Sequence, residues 1–260
     1  MLKYVDVHSH ILHRTDDGPE HIETSLRMLE EEYRQNVETV IFTPHCKDVE
    51  RMSIDEFVAK RNKRAEELRQ YAKEQGARIP QIRLGAEVLL NCDLSEIEGI
   101  EKLCIEGTRY ILIEMPYSAW YDWMFNSLYA LIAHCNLIPV IAHIVRYPHV
   151  DKKKFNKLAS MDVYFQINAE SILDKKLRKH VLKMIEKDAI HLIGSDCHNQ
   201  SERAPNLAEA YDFLNKKISD EFAHYVNVNS HLLLDNEYIE KYASNYYQAE
   251  SESFFRRIFR

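Results

Sequence analysis

The chain has 260 residues, enough for one large α/β domain or two small ones, and its 45% hydrophobic and 29% charged content is that of an ordinary globular protein. A net charge of −7 argues against nucleic acid as the main partner, and no apolar run is long enough to span a membrane. The cysteines Cys46, Cys92, Cys104, Cys135 and Cys197 are scattered, and the start runs straight into a strand, so the reading is of reduced thiols in a cytoplasmic protein without a signal peptide.

Residues 2–7 form a short apolar run that reads as a buried strand and breaks off into His8-x-His10. Residues i and i+2 of a strand share a face, so both imidazoles aim at one point at the strand's end. Asp17 follows on a Gly-Pro turn that can bend it back toward that point. Two imidazoles and a carboxylate suit a divalent transition metal, although an isolated HxH fits a solvated loop equally well. Residues 20–35 then carry Ile22, Leu26, Met28 and Leu29 at helical spacing. Residues 39–45 read as a strand stopped by Pro44, with His45 behind it. A long charged helix over 53–75 leads to Gly76 as its C-cap. Five further strand-like runs end in Glu87, Glu114, His143, Asn168 and Asp196-x-His198.

Seven strands alternating with helices predict parallel pairing and crossover helices. With no linker or repeat, the expected architecture is α/β, a closed or nearly closed barrel forming a single domain over 1–260. Such barrels gather their working residues at the carboxyl ends of the strands, where every polar terminator above falls. The aromatic-basic tail, within 244–260, is expected to be a terminal helix docked on the barrel, with contact to a partner as the alternative.

His8, His10, Asp17, His45, Glu87, Glu114, His143, Asp196 and His198 all lie at or just beyond strand ends. Singly, each acid has an ordinary reading as a helix cap and each histidine as a solvated side chain. Glu87 and Glu114, however, each end an otherwise apolar strand. A carboxylate there is costly unless paired or metal-bound. A multinuclear metal centre removes that cost, and an imidazole and carboxylate donor set favours manganese, iron or zinc over a structural zinc-thiolate site.

The motifs DVHSHILHRTDDGP, TPHC, GAEVLL, YILIEMPY, PVIAHIVRYP, FQINAESI and IGSDCHN together resemble the PHP (polymerase and histidinol phosphatase) superfamily. Within it the chain resembles the bacterial metal-dependent protein tyrosine phosphatases of capsule and exopolysaccharide synthesis. The likeness runs from about Val5 to about Asp235. It implies a distorted (β/α)7 barrel of PHP type and three divalent metal ions, manganese foremost, with iron, zinc and cobalt as alternatives. By motif, His8, His10, Glu87 and Asp196 would hold one ion. A bridging Glu87 with Glu114 and His143 would hold the second, and Asp17, His45 and His198 the third. Cys46 and Lys47 follow His45 where such phosphatases usually carry basic residues, which bears on substrate preference. The implied partner is a bacterial tyrosine autokinase with a tyrosine-rich tail.

The implied reaction is phosphomonoester hydrolysis, with a metal-bridging hydroxide attacking phosphorus. Arg146 and Arg203 are the expected phosphate clamps, since a guanidinium fork matches phosphate in pairs of hydrogen bonds; the alternative for each is a rim salt bridge. Asp196 and His198 are candidates to protonate the leaving oxygen, a role that ligation would restrict. Residues 115–125 form an aromatic loop beside the rim. One reading has this loop sandwich a phosphotyrosine ring by offset stacking, with Tyr117 and Trp120 expected to face the site; the equal alternative is that Trp123, Phe125 and their neighbours start the next helix and pack into the core. Cys197 to Arg203 also matches the C-x5-R pattern of cysteine-dependent phosphatases, but lacks the glycine-rich loop that would lower the thiol pKa. Two other readings are a small-molecule phosphatase, for instance of histidinol phosphate, and a non-catalytic metal-binding module.

Overall fold

The computed structural model describes residues 3–147 and 150–239, so the expected helix at 244–260 lies outside the described residues. The chain runs β1 (Tyr4–Ser9), α1 (Ile22–Arg34), β2 (Val37–Phe42), β3 (His45–Cys46), α2 (Ile54–Glu74), β4 (Gln81–Leu84), β5 (Glu87–Leu89) and β6 (Tyr110–Glu114). It continues with α3 (Asp122–Ala133), β7 (Ile138–Ile141), α4 (Lys152–Ala159), β8 (Tyr164–Asn168), α5 (Ala169–Leu173), α6 (Arg178–Ile185), β9 (Leu192–Gly194), α7 (Leu207–Lys217) and α8 (Asp220–Leu234). The long charged helix starts where Ser53 Oγ accepts the Glu56 N–H at 3.3 Å and ends before Gly76, which takes the left-handed φ of 62° that suits glycine.

All strand pairs are parallel, in a sheet ordered β1-β2-β4 and another ordered β3-β5-β6-β7-β8-β9. Two of the seven expected strands are therefore broken in the middle. β2 and β3 are separated at Thr43-Pro44, and proline has no N–H for a ladder. β4 and β5 are separated at Gly85-Ala86, where the Gly85 carbonyl accepts instead from Arg61 Nη1 at 2.8 Å. The breaks pass the chain from one sheet to the other. At the opposite seam Ser9 bridges Cys197 in parallel, Asp196 N–H donates to the His8 carbonyl at 2.7 Å, and His10 N–H donates to the Cys197 carbonyl at 2.9 Å. Seven strand units thus close a distorted barrel, as expected.

Gly194 allows that closure. A Cβ there would lie 2.6 Å from His8 Cβ and 2.8 Å from its backbone nitrogen, so only glycine lets β9 press against β1.

Strand alternation sets the layers. Tyr110 and Leu112 of β6, Val140 of β7, Tyr164 of β8 and Leu192 of β9 join Val5, Val7 and Ile41 in a small inner core that Leu233 and Ile239 complete. The intervening Ile111, Ile113, Phe165 and Ile167 belong to the larger core under the helices. Glu114 shares the parity of Leu112, and Gln166 and Asn168 share that of Tyr164, so polar side chains cap the inner core at the carboxyl ends of the strands.

Candidate metal centre

β1 carries the first donors, and it is not a regular strand there. Its register against β2 shifts between Asp6 and Ser9. His8 and His10 thereby end with their Nε2 atoms 3.0 Å apart over the barrel mouth. His8 Nε2 lies 3.3 Å from Glu87 Oε2 and 3.6 Å from Asp196 Oδ1; His10 Nε2 lies 3.2 and 3.4 Å from the same atoms. Donors around one first-row cation, at bond lengths of about 2.0–2.2 Å, stand roughly 3–3.5 Å from one another. His8, His10 and Glu87 match that spacing, and Asp196 approaches the same two imidazoles.

Glu87, 1% exposed, is the hub. Besides His8 and His10 it meets His45 Nδ1 at 3.0 Å and His143 Nε2 at 2.7 Å. Glu114 stands 3.9 Å from His45 and 4.0 Å from His143. Asp17 approaches His45 Nε2 at 3.5 Å and His198 Nε2 at 3.4 Å. All nine expected ligands therefore converge. Their grouping differs from the expected one: His10 also stands with Asp17, His45 and His198; His45 presents one nitrogen to that group and the other to Glu87, where it stands with Glu114; and Asp196 falls outside the tight His8, His10 and Glu87 group.

The chemistry of the set fits cations. Glu87 Oε2, His45 Nδ1 and His198 Nε2 are buried, have opposite-charge neighbours, and yet make no well-directed hydrogen bond. Burying such groups is costly without a partner that takes their lone pairs. Burial would raise the Glu87 pKa, but the imidazoles of His8, His10, His143 and His45 outweigh it and hold the carboxyl well below its usual range. Glu114 moves the other way, raised by burial and by the Glu87 charge.

Side chains behind the donors fix their orientation, and several were not anticipated. Asp16 Oδ2 accepts from His10 Nδ1 at 2.6 Å and from the His45 N–H at 3.0 Å. Gln166 Oε1 lies 3.3 Å from His8 Nδ1 and accepts the His143 N–H at 2.7 Å. Asn168 Nδ2 donates to Asp196 Oδ2 at 2.6 Å, and Tyr147 Oη lies 3.3 Å from His143 Nδ1. Each occupies the nitrogen or oxygen that a metal ligand would turn away from the ion. Asp16 stands beside Asp17 in the sequence, and nothing in composition or spacing separates the two roles. Backbone strain gathers here too: His143 (φ 34°) and Asp196 (φ 53°) are non-glycine residues in the left-handed region, at the ends of β7 and β9.

Burial pulls the His10 pKa down, but Asp16 and Glu87 outweigh it and push it up to about 10. Burial likewise raises Asp16, but His10 outweighs it and holds it at about 2. The Asp16 contribution to stability is thus present above pH 3.8 and lost as pH falls through about 2. The His10 contribution is complete below pH 6.5 and lost as pH rises through about 10. A proton and a cation compete for the imidazoles, so cation affinity rises with pH. Asp16→Asn is expected to weaken cation binding by about 10- to 100-fold, measured by metal titration at fixed pH, while leaving the fold intact.

One expectation changes. Trp120 does not face the cleft: it is 2% exposed, its Nε1 donates to the Pro116 carbonyl at 3.0 Å, and its ring packs edge-on against Tyr147 and Phe125. A large indole with one donor is satisfied by an apolar gap beside a free carbonyl. Tyr117 does face the cleft, 55% exposed, its ring nearly parallel to that of His143 at 6.4 Å. Trp123 and Phe125 do lie in the first turn of α3. Burial raises Asp196, but His8, His10 and Arg146 outweigh it and hold it ionised far below the carboxylate range; burial and His10 push His198 down to about 4. The Cys197 thiol is fully buried and pushed well up by burial and by Glu32, so it is no nucleophile.

The donors open into a cleft of about 440 Å³ that Lys47, Tyr117, Arg146 and Arg203 also line. Arg146 Nη1 pairs with Asp196 Oδ2 at 2.9 Å, and Arg203 Nη2 with Asp196 Oδ1 at 2.8 Å.

The tyrosine-protein phosphatase CpsB of Streptococcus pneumoniae is 33% identical over 224 residues, covering 82% of this chain and 90% of the relative. The tyrosine-protein phosphatase YwqE of Bacillus subtilis is 30% identical over 246 residues, covering 90% and 93%. A crystal structure from work on YwqE of B. subtilis and CpsB of S. pneumoniae, described as unique metal-dependent tyrosine phosphatases, superposes with a TM-score of 0.82 at 26% identity, covering 92% of this chain and 97% of that one. An amidohydrolase at 10% identity and a TM-score of 0.54 shares the fold alone. Residues 4–235 match the family described as capsular polysaccharide synthesis, CpsB/CapC, and the chain belongs to that family.

Proposed function

We propose that this chain is a metal-dependent protein-tyrosine phosphatase acting as a single domain in the cytoplasm, with the tail of a bacterial tyrosine autokinase as its substrate. The observation that carries the reading is Glu87, a buried carboxylate within 2.7–3.3 Å of four imidazole nitrogens. His8, His10, Asp17, His45, Glu87, Glu114, His143, Asp196 and His198 would hold three divalent ions; a nitrogen and oxygen set without thiolate suits manganese, iron or zinc, and the family resemblance implies manganese foremost. Bound there, the ions would supply Lewis acidity and lower the pKa of a water to about 7.

The chain's own residues do the rest. Arg146 and Arg203 each spend one N–H on Asp196, and a guanidinium carries five, so each retains donors for phosphoryl oxygens. Lys47 adds positive charge to the same cleft, and Tyr117 offers a ring face to a phenyl ring. With Asp196 held ionised and His198 neutral, the site favours a leaving group that needs little protonation. The tyrosine phenol, with a pKa of about 10, is such a group.

The test uses the full chain, stripped with chelator and reloaded with manganese, iron, zinc or cobalt, on phosphotyrosine and phosphoserine peptides. Expected are loss of activity on chelation, recovery on reloading, up to three ions per chain, and at least about a hundredfold preference for phosphotyrosine. Full activity in the chelated protein would overturn the reading.

A further inference from the structure

A second cavity, of about 310 Å³, lies behind the wall formed by Trp120 and Tyr147. Its floor is apolar, with Trp120, Val145, Phe155 and Met184, and Lys152, Lys183 and Lys187 stand around it. All three lysines are exposed, and among the described residues none is within 4 Å of a carboxylate. The surroundings are basic in a chain that is acidic overall: residues 151–188 hold ten lysines and arginines against six aspartates and glutamates.

This cavity adjoins the catalytic cleft. One 3₁₀ turn, Ile144–Arg146, follows the ligand His143 and serves both: Ile144 and Val145 line the cavity while Arg146 lines the cleft. The rings of Tyr147 and Tyr117, one on each side, are 5.5 Å apart. An extended peptide advances about 3.3 Å per residue. A side chain a few residues from a phosphotyrosine in the cleft therefore reaches the cavity.

We propose that this cavity is a substrate-selecting site that takes an apolar side chain flanked by acidic residues, so that the enzyme prefers phosphotyrosines in acidic peptide segments. The inference rests on the phosphatase reading. An acidic peptide fits better than the chain's own tail, whose last ten residues hold three arginines that the lysines would repel. Charges at such a rim act mainly on encounter and KM, and are screened by salt.

The experiment compares the full chain with its Lys183→Glu/Lys187→Glu variant on three substrates: a phosphotyrosine peptide with leucine and glutamates on either side, the same peptide with serines, and p-nitrophenyl phosphate. Expected is a KM for the acidic peptide about tenfold lower than for the serine peptide in the parent. The variant loses that advantage at unchanged kcat, and both proteins hydrolyse p-nitrophenyl phosphate equally. A lysine-flanked peptide is expected to improve with the variant. Equal KM values for the two peptides in the parent would overturn the site. So would an unaltered preference in the variant, or lysine-dependent binding to phosphatidylglycerol vesicles without any peptide preference. Absence of p-nitrophenyl phosphate hydrolysis in the parent would instead overturn the phosphatase reading itself.

Discussion

Glu87→Gln is expected to lower kcat on both p-nitrophenyl phosphate and a phosphotyrosine peptide by about a thousandfold or more. The amide keeps the shape of the carboxylate but removes its charge and replaces one acceptor oxygen with an NH2 group. That change falls where His8, His10, His45 and His143 all meet the side chain. Two ion positions are expected to share Glu87, so both lose a ligand at once. Lewis-acid stabilisation is worth several kcal/mol, and each 1.36 kcal/mol is tenfold in rate. Bound metal per chain is expected to fall in parallel, measured by elemental mass spectrometry on the purified variant. More than a tenth of parental activity with a full metal complement would mean that Glu87 bridges nothing.

Arg203→Ala and Arg146→Ala are each expected to lower kcat/KM by about 10- to 150-fold. That range corresponds to the loss of one charge-assisted hydrogen bond, about 1.5–3 kcal/mol. Both arginines also pair with Asp196, so activity alone does not separate a clamp from a brace. The separating measurement is inhibition by inorganic phosphate. A clamp weakens it in proportion to kcat/KM, and lysine restores it only partly because an ammonium lacks the paired donors of a guanidinium. An unchanged phosphate inhibition constant in both alanine variants would reduce the arginines to holding Asp196 in place.

Much of the site was legible along the chain because parallel α/β barrels put polar residues at strand ends, and those ends are marked by where an apolar run stops. Glu87, Glu114 and His143 are each such a stop, and all three meet in the cleft. The supporting shell was less legible. Asp16 and Asp17 are adjacent acids, and which of them backs His10 depends on how the loop turns at Gly18. A Cβ at Gly18 would overlap the His10 carbonyl. Trp120 was misplaced for a related reason. An aromatic run near a rim reports hydrophobicity, whereas the direction of each ring depends on the gap that it fills.

By itself the sequence determined the alternation of strands and helices, the seven strand units, the nine converging side chains and the family likeness, all properties carried by local periodicity and residue type. Only the tertiary structure decided that two strands break at Pro44 and Gly85, that the register slips beneath His8, and that His143 and Asp196 take left-handed backbone conformations. It also decided that Asp16, Gln166 and Asn168 orient the donors, and that a second, lysine-rimmed cavity shares a wall with the cleft. Those features depend on which distant carbonyls and side chains satisfy each polar group once the barrel has closed, and that closure is set by packing between segments far apart in the chain.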